Sequence, residues 1–134
     1  MKNRFTTKAM MLCLLGIMVA GFRPADEVIT KEKGGVTVVN TTTLATDVEG
    51  YAGPTPLKIY IKKDKIEKIE ALDNIETPNY FDIVKRNLLA KWNGLTVKAA
   101  STQQVDVITG ATYSSEAVIE NVRRGLEYYK KSKK

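Results

Sequence analysis

A chain of 134 residues is long enough for one ordinary domain and too short for two. Charged residues make up 27% and hydrophobic residues 43%, the balance of a folded protein, which excludes global disorder. The net charge of +6 sits at the ends: residues 1–25 and 130–134 carry +4 each, while residues 26–129 hold 13 basic and 15 acidic side chains. A nucleic-acid module carries its positive charge on the folded face that meets phosphates, so that function is excluded.

The first block of charge belongs to a leader. Lys2, Arg4 and Lys8 precede a short apolar run at residues 9–20. This is the order of a secretory signal peptide. It predicts a signal peptide over residues 1–21, cleaved after Ala20 or Gly21, and a single domain over 22–134. The run falls short of the roughly 20 apolar residues of a membrane-spanning helix, although an uncleaved N-terminal anchor is the alternative. The expected destination lies across the inner membrane, in the periplasm or on the outer face of the cytoplasmic membrane. Cys13, the one cysteine, falls inside the run, and Met10, Met11 and Leu12 before it lack the small residues of a lipoprotein signal. With the leader removed the chain has neither cysteine nor histidine. That excludes disulfides, dithiol chemistry, cysteine nucleophiles and the usual zinc, haem and iron–sulfur ligands. Redox work would need a borrowed organic cofactor.

Residues 22–34 read as polar and irregular, ending at Gly34-Gly35. β-Branched residues predict a strand at 36–39, then a loop at 40–43 and a second strand at 45–51 closed by Gly53-Pro54. Residues 57–61 alternate, with Leu57, Ile59 and Ile61 on one face. Lys63-Asp64 suits a hairpin turn into a further strand through Ile66, Ile69 and Leu72, whose alternation slips around Lys68. Thr77-Pro78 starts a helix over 78–92, with Phe81, Val84, Leu88 and Trp92 at helical spacing and Asn93-Gly94 as the stop. Short strands follow at 95–99 and 105–108. Ser114 or Ser115 is expected to cap the last helix, whose apolar stripe is Val118, Val122, Leu126 and Tyr129. The predicted fold is α+β: one small domain with a mainly antiparallel sheet packed with two helices.

The segment with chemical potential is Asp106-Val107-Ile108-Thr109-Gly110-Ala111-Thr112-Tyr113-Ser114-Ser115, read as strand, tight turn and helix start. Unpaired N–H groups and the helix dipole favour an anion there. Gly110 frees the backbone, Ala111 leaves the approach open, and Thr112, Ser114 and Ser115 surround the point with hydroxyls. A serine-capped junction that holds no ligand accounts for the same residues.

Asp106-x-x-Thr109-Gly110-Ala111-Thr112 resembles the flavinylation motif of the FMN-binding domain family, which includes flavoprotein subunits of sodium-pumping quinone reductase and of the Rnf complex. Gly50-Tyr51-Ala52-Gly53 resembles that family's glycine-rich strand end. Glu76-Thr77-Pro78 resembles its helix entry, with Asn79 where glycine often follows.

The resemblance implies FMN held by a phosphoester to Thr112. Asp106, Thr109, Gly110, Ala111, Tyr113, Ser114 and Ser115 complete the expected cofactor-binding set, with no catalytic residue and no metal ligand. It also implies a partner, an FAD-dependent FMN transferase that uses magnesium. The Thr112 hydroxyl would attack the phosphorus next to riboflavin, and AMP would leave. Asp106 is expected to help present the loop to that enzyme; capping of nearby N–H groups at a strand end is the other reading. Tyr51, Tyr80, Tyr113 and Trp92 are the aromatics available to the flavin ring, and Arg123 and Arg124 read as solvated charges. The basic tail reads as a frayed, solvated end or as a contact for anionic lipid. The expected function is extracytoplasmic electron transfer between a membrane donor and an extracytoplasmic acceptor. The alternatives are a flavin-dependent reductase with its own small substrate and a flavin-free secreted anion-binding module.

Overall fold

The computed structural model describes residues 27–133, so the leader expected over 1–21, Cys13 included, lies outside the described residues. Four strands, β1 (Ile29–Glu32), β2 (Val36–Asn40), β3 (Leu57–Lys62) and β4 (Lys65–Ala71), form an antiparallel sheet in chain order. β1 corrects the expectation of irregular chain up to residue 34. Gly34 and Gly35, at φ 80° and 77°, make the turn of a hairpin that pairs Glu32 with Val36 and Ile29 with Val39. Four residues at a sheet edge are too few to show alternation.

The strand expected at 45–51 does not form. Both long edges of β2 and of β3 are already paired, so the connection between them cannot join either of the strands it links. It folds instead as turns, with one isolated bridge between Glu49 and Pro54. Between β3 and β4, Lys63 and Asp64 both adopt positive φ (51° and 60°), the two-residue hairpin that the sequence predicts. The slip near Lys68 is a β-bulge: Tyr60 faces Lys68 and Ile61 faces Ile66, so Glu67 is the extra residue.

The helix expected over 78–92 divides into α1 (Pro78–Asn87) and a 3-10 turn (Leu89–Trp92), which together bury Phe81, Val84, Leu88 and Trp92. The strand expected at 95–99 is realised only as a short edge. Gly94 N donates to Ile66 O at 2.7 Å, and Ile66 N donates to Leu95 O at 2.8 Å. The Thr96 hydroxyl then accepts from Ala99 N and starts α2 (Val97–Thr102), which the sequence reading missed. Residues 105–108, also expected as a strand, have no regular structure.

The last helix, α3 (Thr112–Ser132), lays Val118, Val122, Leu126 and Tyr129 into the core with Val39, Leu57, Ile59 and Ile61. Its approach to the sheet is close at Gly125, where an added Cβ would lie 2.7 Å from Ile59 Cδ1. One turn earlier, buried Asn121 accepts from the Thr41 hydroxyl at 2.6 Å and donates to Ala117 O at 2.8 Å. Arg124, expected as a solvated charge, clamps the β2–β3 connection. Its guanidinium donates to Asp47 Oδ1 and Oδ2 at 2.6 and 3.0 Å and to Leu44 O at 3.0 Å. The tail is not frayed through residue 133, because α3 runs to Ser132 and Lys133 pairs with Asp64.

Candidate functional site

The site is built where α3 begins. Ala111 N donates to Ile108 O at 2.9 Å, and Gly110, at φ 86°, takes the backbone through the turn. Ala111 is the N-cap and Thr112 the first helical residue, which corrects the expected serine cap. Alanine offers no side-chain acceptor, so the first N–H groups of α3 remain uncapped. Their partial positive charge faces the turn at the helix start. Ser114 and Ser115 lie within the first turn and are buried. The Ser115 hydroxyl accepts from Ile108 N at 3.1 Å, fastening the turn back onto the helix.

Ser114 points to a second anchor. Its hydroxyl donates to Glu76 Oε1 at 2.6 Å. The same Oε1 accepts from Tyr51 N at 2.8 Å, and Glu76 Oε2 accepts from Ala52 N. Glu76 is only 5% exposed, and its carboxylate draws all three donors from segments distant in sequence. Gly50 makes this possible, since a Cβ there would overlap Glu76 Oε1. Three separate sequence pieces, 50–53, 76–78 and 106–115, therefore meet around one carboxylate, the last through Ser114. Sequence reasoning singled out the three pieces but not Glu76 as their junction. The close Gly50 approach has no local signal, and a glutamate before Thr-Pro gives none of its burial.

Beside this junction opens a cleft of about 360 Å³ whose walls include Tyr51, Thr77, Tyr80, Gly110, Thr112 and Tyr113. That volume falls at the low end of the range for small-molecule sites. Tyr51, Tyr80 and Tyr113 are 75%, 57% and 67% exposed, three of the large hydrophobic side chains that the surface leaves uncovered. Trp92, the fourth aromatic considered, is 2% exposed and belongs to the core, so it is no wall of the cleft.

Of the eight residues expected in the site, Gly110, Ala111, Thr112, Tyr113 and Ser114 line the cleft. Ser115 is buried behind it. Thr109 and Asp106 are exposed on the segment leading in. Among the described residues Asp106 makes no hydrogen bond or ion pair, so the reading of it as a cap for nearby N–H groups does not hold.

The sequence model of the family described as FMN-binding domain matches residues 50–127. The matched span begins at the glycine packed on Glu76 and ends well along α3, so it takes in all three pieces of the site. No curated protein matches the chain.

Proposed function

The chain belongs to the FMN-binding domain family, and from that premise we propose that it is an extracytoplasmic electron-transfer protein carrying FMN on Thr112. The observation that carries the reading is the position of Thr112. It is an exposed hydroxyl on the first residue of an uncapped helix, opening onto a cleft walled by three exposed tyrosines.

The residues present suit the group. A phosphodiester on Thr112 would keep one negative charge next to the free N–H groups of α3, where the dipole favours it. An added Cβ at Gly110 would meet nothing within 4 Å, so the approach to the hydroxyl is open. Tyr51, Tyr80 and Tyr113 offer flat apolar faces to a ring system. Glu76 holds the backbone of the Tyr51 loop against the first turn of α3, so the main chain carrying Tyr51 is anchored beside Thr112. Bound FMN would supply the electron-accepting chemistry; the protein's part is tethering, orientation and electronic tuning.

Attachment is proposed to come from a separate magnesium-dependent FMN transferase that uses FAD. The Thr112 oxygen forms a bond to the riboflavin-side phosphorus, the bond to AMP breaks, and the hydroxyl proton leaves. Asp106, exposed and unpaired ahead of the loop, is proposed to present the acceptor to that enzyme. A membrane donor and an extracytoplasmic acceptor complete the path. Export, on which the location depends, rests on the leader at residues 1–21.

Co-expression with an FAD-dependent FMN transferase tests the assignment, with Thr112→Val beside the wild type. A fluorescent band on a denaturing gel and one FMN-sized mass increase are expected in the wild type only. An adduct on Thr112→Val would move the acceptor elsewhere. No adduct in either, with a transferase active on another substrate, would leave the anion-binding module as the reading.

A further inference from the structure

The fold gathers a set of lysines that are scattered in sequence. Lys33 stands in the β1–β2 turn, and Lys62, Lys63 and Lys65 surround the β3–β4 turn. These turns adjoin, since a Cβ at Gly34 would lie 4.0 Å from Lys62 Nζ. The C-terminal end of α3 reaches the same place: Tyr129 Oη donates to Asp64 Oδ1 at 2.7 Å, and Lys133 pairs with that carboxylate. Val97 N donates to Asp64 O at 2.8 Å, which brings Lys98 alongside.

With Lys130 and Lys131 of α3, eight lysines face four carboxylates at this end, Glu32, Asp64, Glu67 and Glu127, for a local net charge of +4. The remaining described residues carry eight basic and ten acidic side chains, a net −2. The domain is therefore polarised. Its basic pole lies at one end of α3 and the Thr112 cleft at the other, about 30 Å away along a helix of this length.

Part of the pole has a local explanation, because cations near a helix C-terminus complement its dipole. That accounts for Lys130, Lys131 and Lys133 and leaves the two turns and Lys98 unexplained. The chemistry of the pole is one-sided as well. Every cation counted in it is lysine. Of the arginines of the described residues, Arg86 lies in α1, Arg124 is held by Asp47 and Glu120, and Arg123 reaches the pole only through its pair with Glu127 at 3.0 Å. Protein interfaces are enriched in arginine and depleted in lysine. Mobile ammonium groups instead suit a diffuse field such as that of an anionic bilayer. Tyr128, 40% exposed, lines the same groove as Lys31 and Lys133 and has the amphipathic side chain that settles at lipid headgroups.

We propose that this lysine pole is a peripheral docking surface for anionic lipid headgroups, which holds the domain upright with the Thr112 cleft facing away from the bilayer. No helix among the described residues is long and apolar enough to cross a membrane. The proposed contact through the lysines is electrostatic and reversible, and it stands whether or not Thr112 carries FMN.

The test is flotation of the full chain with phosphatidylcholine vesicles, with and without phosphatidylglycerol, at low and high salt. Binding through the apolar segment at residues 9–20 would appear with both lipids, and Lys2, Arg4, Lys8 and Arg23 around it also favour phosphatidylglycerol. The phosphatidylglycerol-dependent binding that a pole variant loses and a charge-matched control keeps therefore reports the pole. The triple variant Lys33→Gln, Lys63→Gln, Lys65→Gln is compared with a charge-matched control, Lys58→Gln, Lys85→Gln, Arg86→Gln, both checked for a native near-ultraviolet spectrum. Expected is salt-sensitive binding that needs phosphatidylglycerol, at least about tenfold weaker in the pole variant and near wild type in the control. Equal loss in both variants, or a pole variant that binds like wild type, overturns the proposal. So does indifference to phosphatidylglycerol. Retention on immobilised polyglutamate, abolished by the pole variant, without any anionic-lipid preference would reassign the pole to an acidic protein.

Discussion

The Ser114 hydroxyl donates to Glu76 Oε1 at 2.6 Å across 38 residues of chain, and the carboxylate that receives it also gathers the backbone N–H groups of Tyr51 and Ala52. One buried side chain thus joins the first turn of α3 to the loop that carries a wall of the cleft.

Glu76→Ala would leave two backbone donors and one hydroxyl without their acceptor. Each group left buried costs about 1–3 kcal/mol, less where water enters, so a loss of about 2–5 kcal/mol is expected in denaturant unfolding. Gly50→Ala crowds the same carboxylate from the other side and should cost about 1–3 kcal/mol. Since both changes break one junction, the double variant should lose clearly less than the two losses added. Strict additivity would show that Gly50 and Glu76 act separately.

Asn121 is a second buried polar centre, 1% exposed, accepting from Thr41 and donating to Ala117 O. Asn121→Ala strands the Thr41 hydroxyl and opens a small void between α3 and the sheet. A loss of about 1–3 kcal/mol is expected, measured by urea titration. A loss below about 0.5 kcal/mol would mean that water replaces the amide.

Asp106 gives the opposite expectation. Exposed and without a hydrogen bond among the described residues, it supports no part of the fold. Asp106→Ala should melt within about 0.5 kcal/mol of wild type and yet be flavinylated more slowly, read as fluorescence in a time course with the transferase. A normal rate would remove Asp106 from the acceptor site.

Acid should loosen the outer face of α3. Hydrogen bonds from Arg123, and then from Arg124, hold the Glu120 carboxyl down at about 2 against its usual 4.5, with burial opposing them. Because the folded value is depressed, the stabilisation is fully present above pH 4.5 and is lost as pH falls from there toward 2. Asp47 shifts in the same direction, chiefly through its hydrogen bond with Arg124. Glu120→Gln should therefore show a shallower fall in stability across that window than wild type, followed by thermal melting at stepped pH. Identical slopes would assign the acid sensitivity to other carboxylates.

Much of the architecture was legible because its signals are local. Alternation at Leu57, Ile59 and Ile61, the turn at Lys63-Asp64, the slip at Lys68 and the stripe from Val118 to Tyr129 all follow from which face of one element is buried. The segment at 106–115, proposed to carry the acceptor, was equally visible as a linear motif. By itself, then, the sequence determined the α+β class, the main hairpin, the long helices and the position of Thr112. Tertiary structure decided what depends on neighbours. Residues 45–51 found both of the strands they link already paired on each side, and residues 29–32 paired with β2. Ser114 and Ser115 turned inward to Glu76 and Ile108 and left the helix start uncapped. The tyrosines were sorted from Trp92 by exposure, and dispersed lysines were drawn to one end. Periodicity records which face of an element is buried, whereas strand edges, buried carboxylates and surface charge are settled only when distant segments meet.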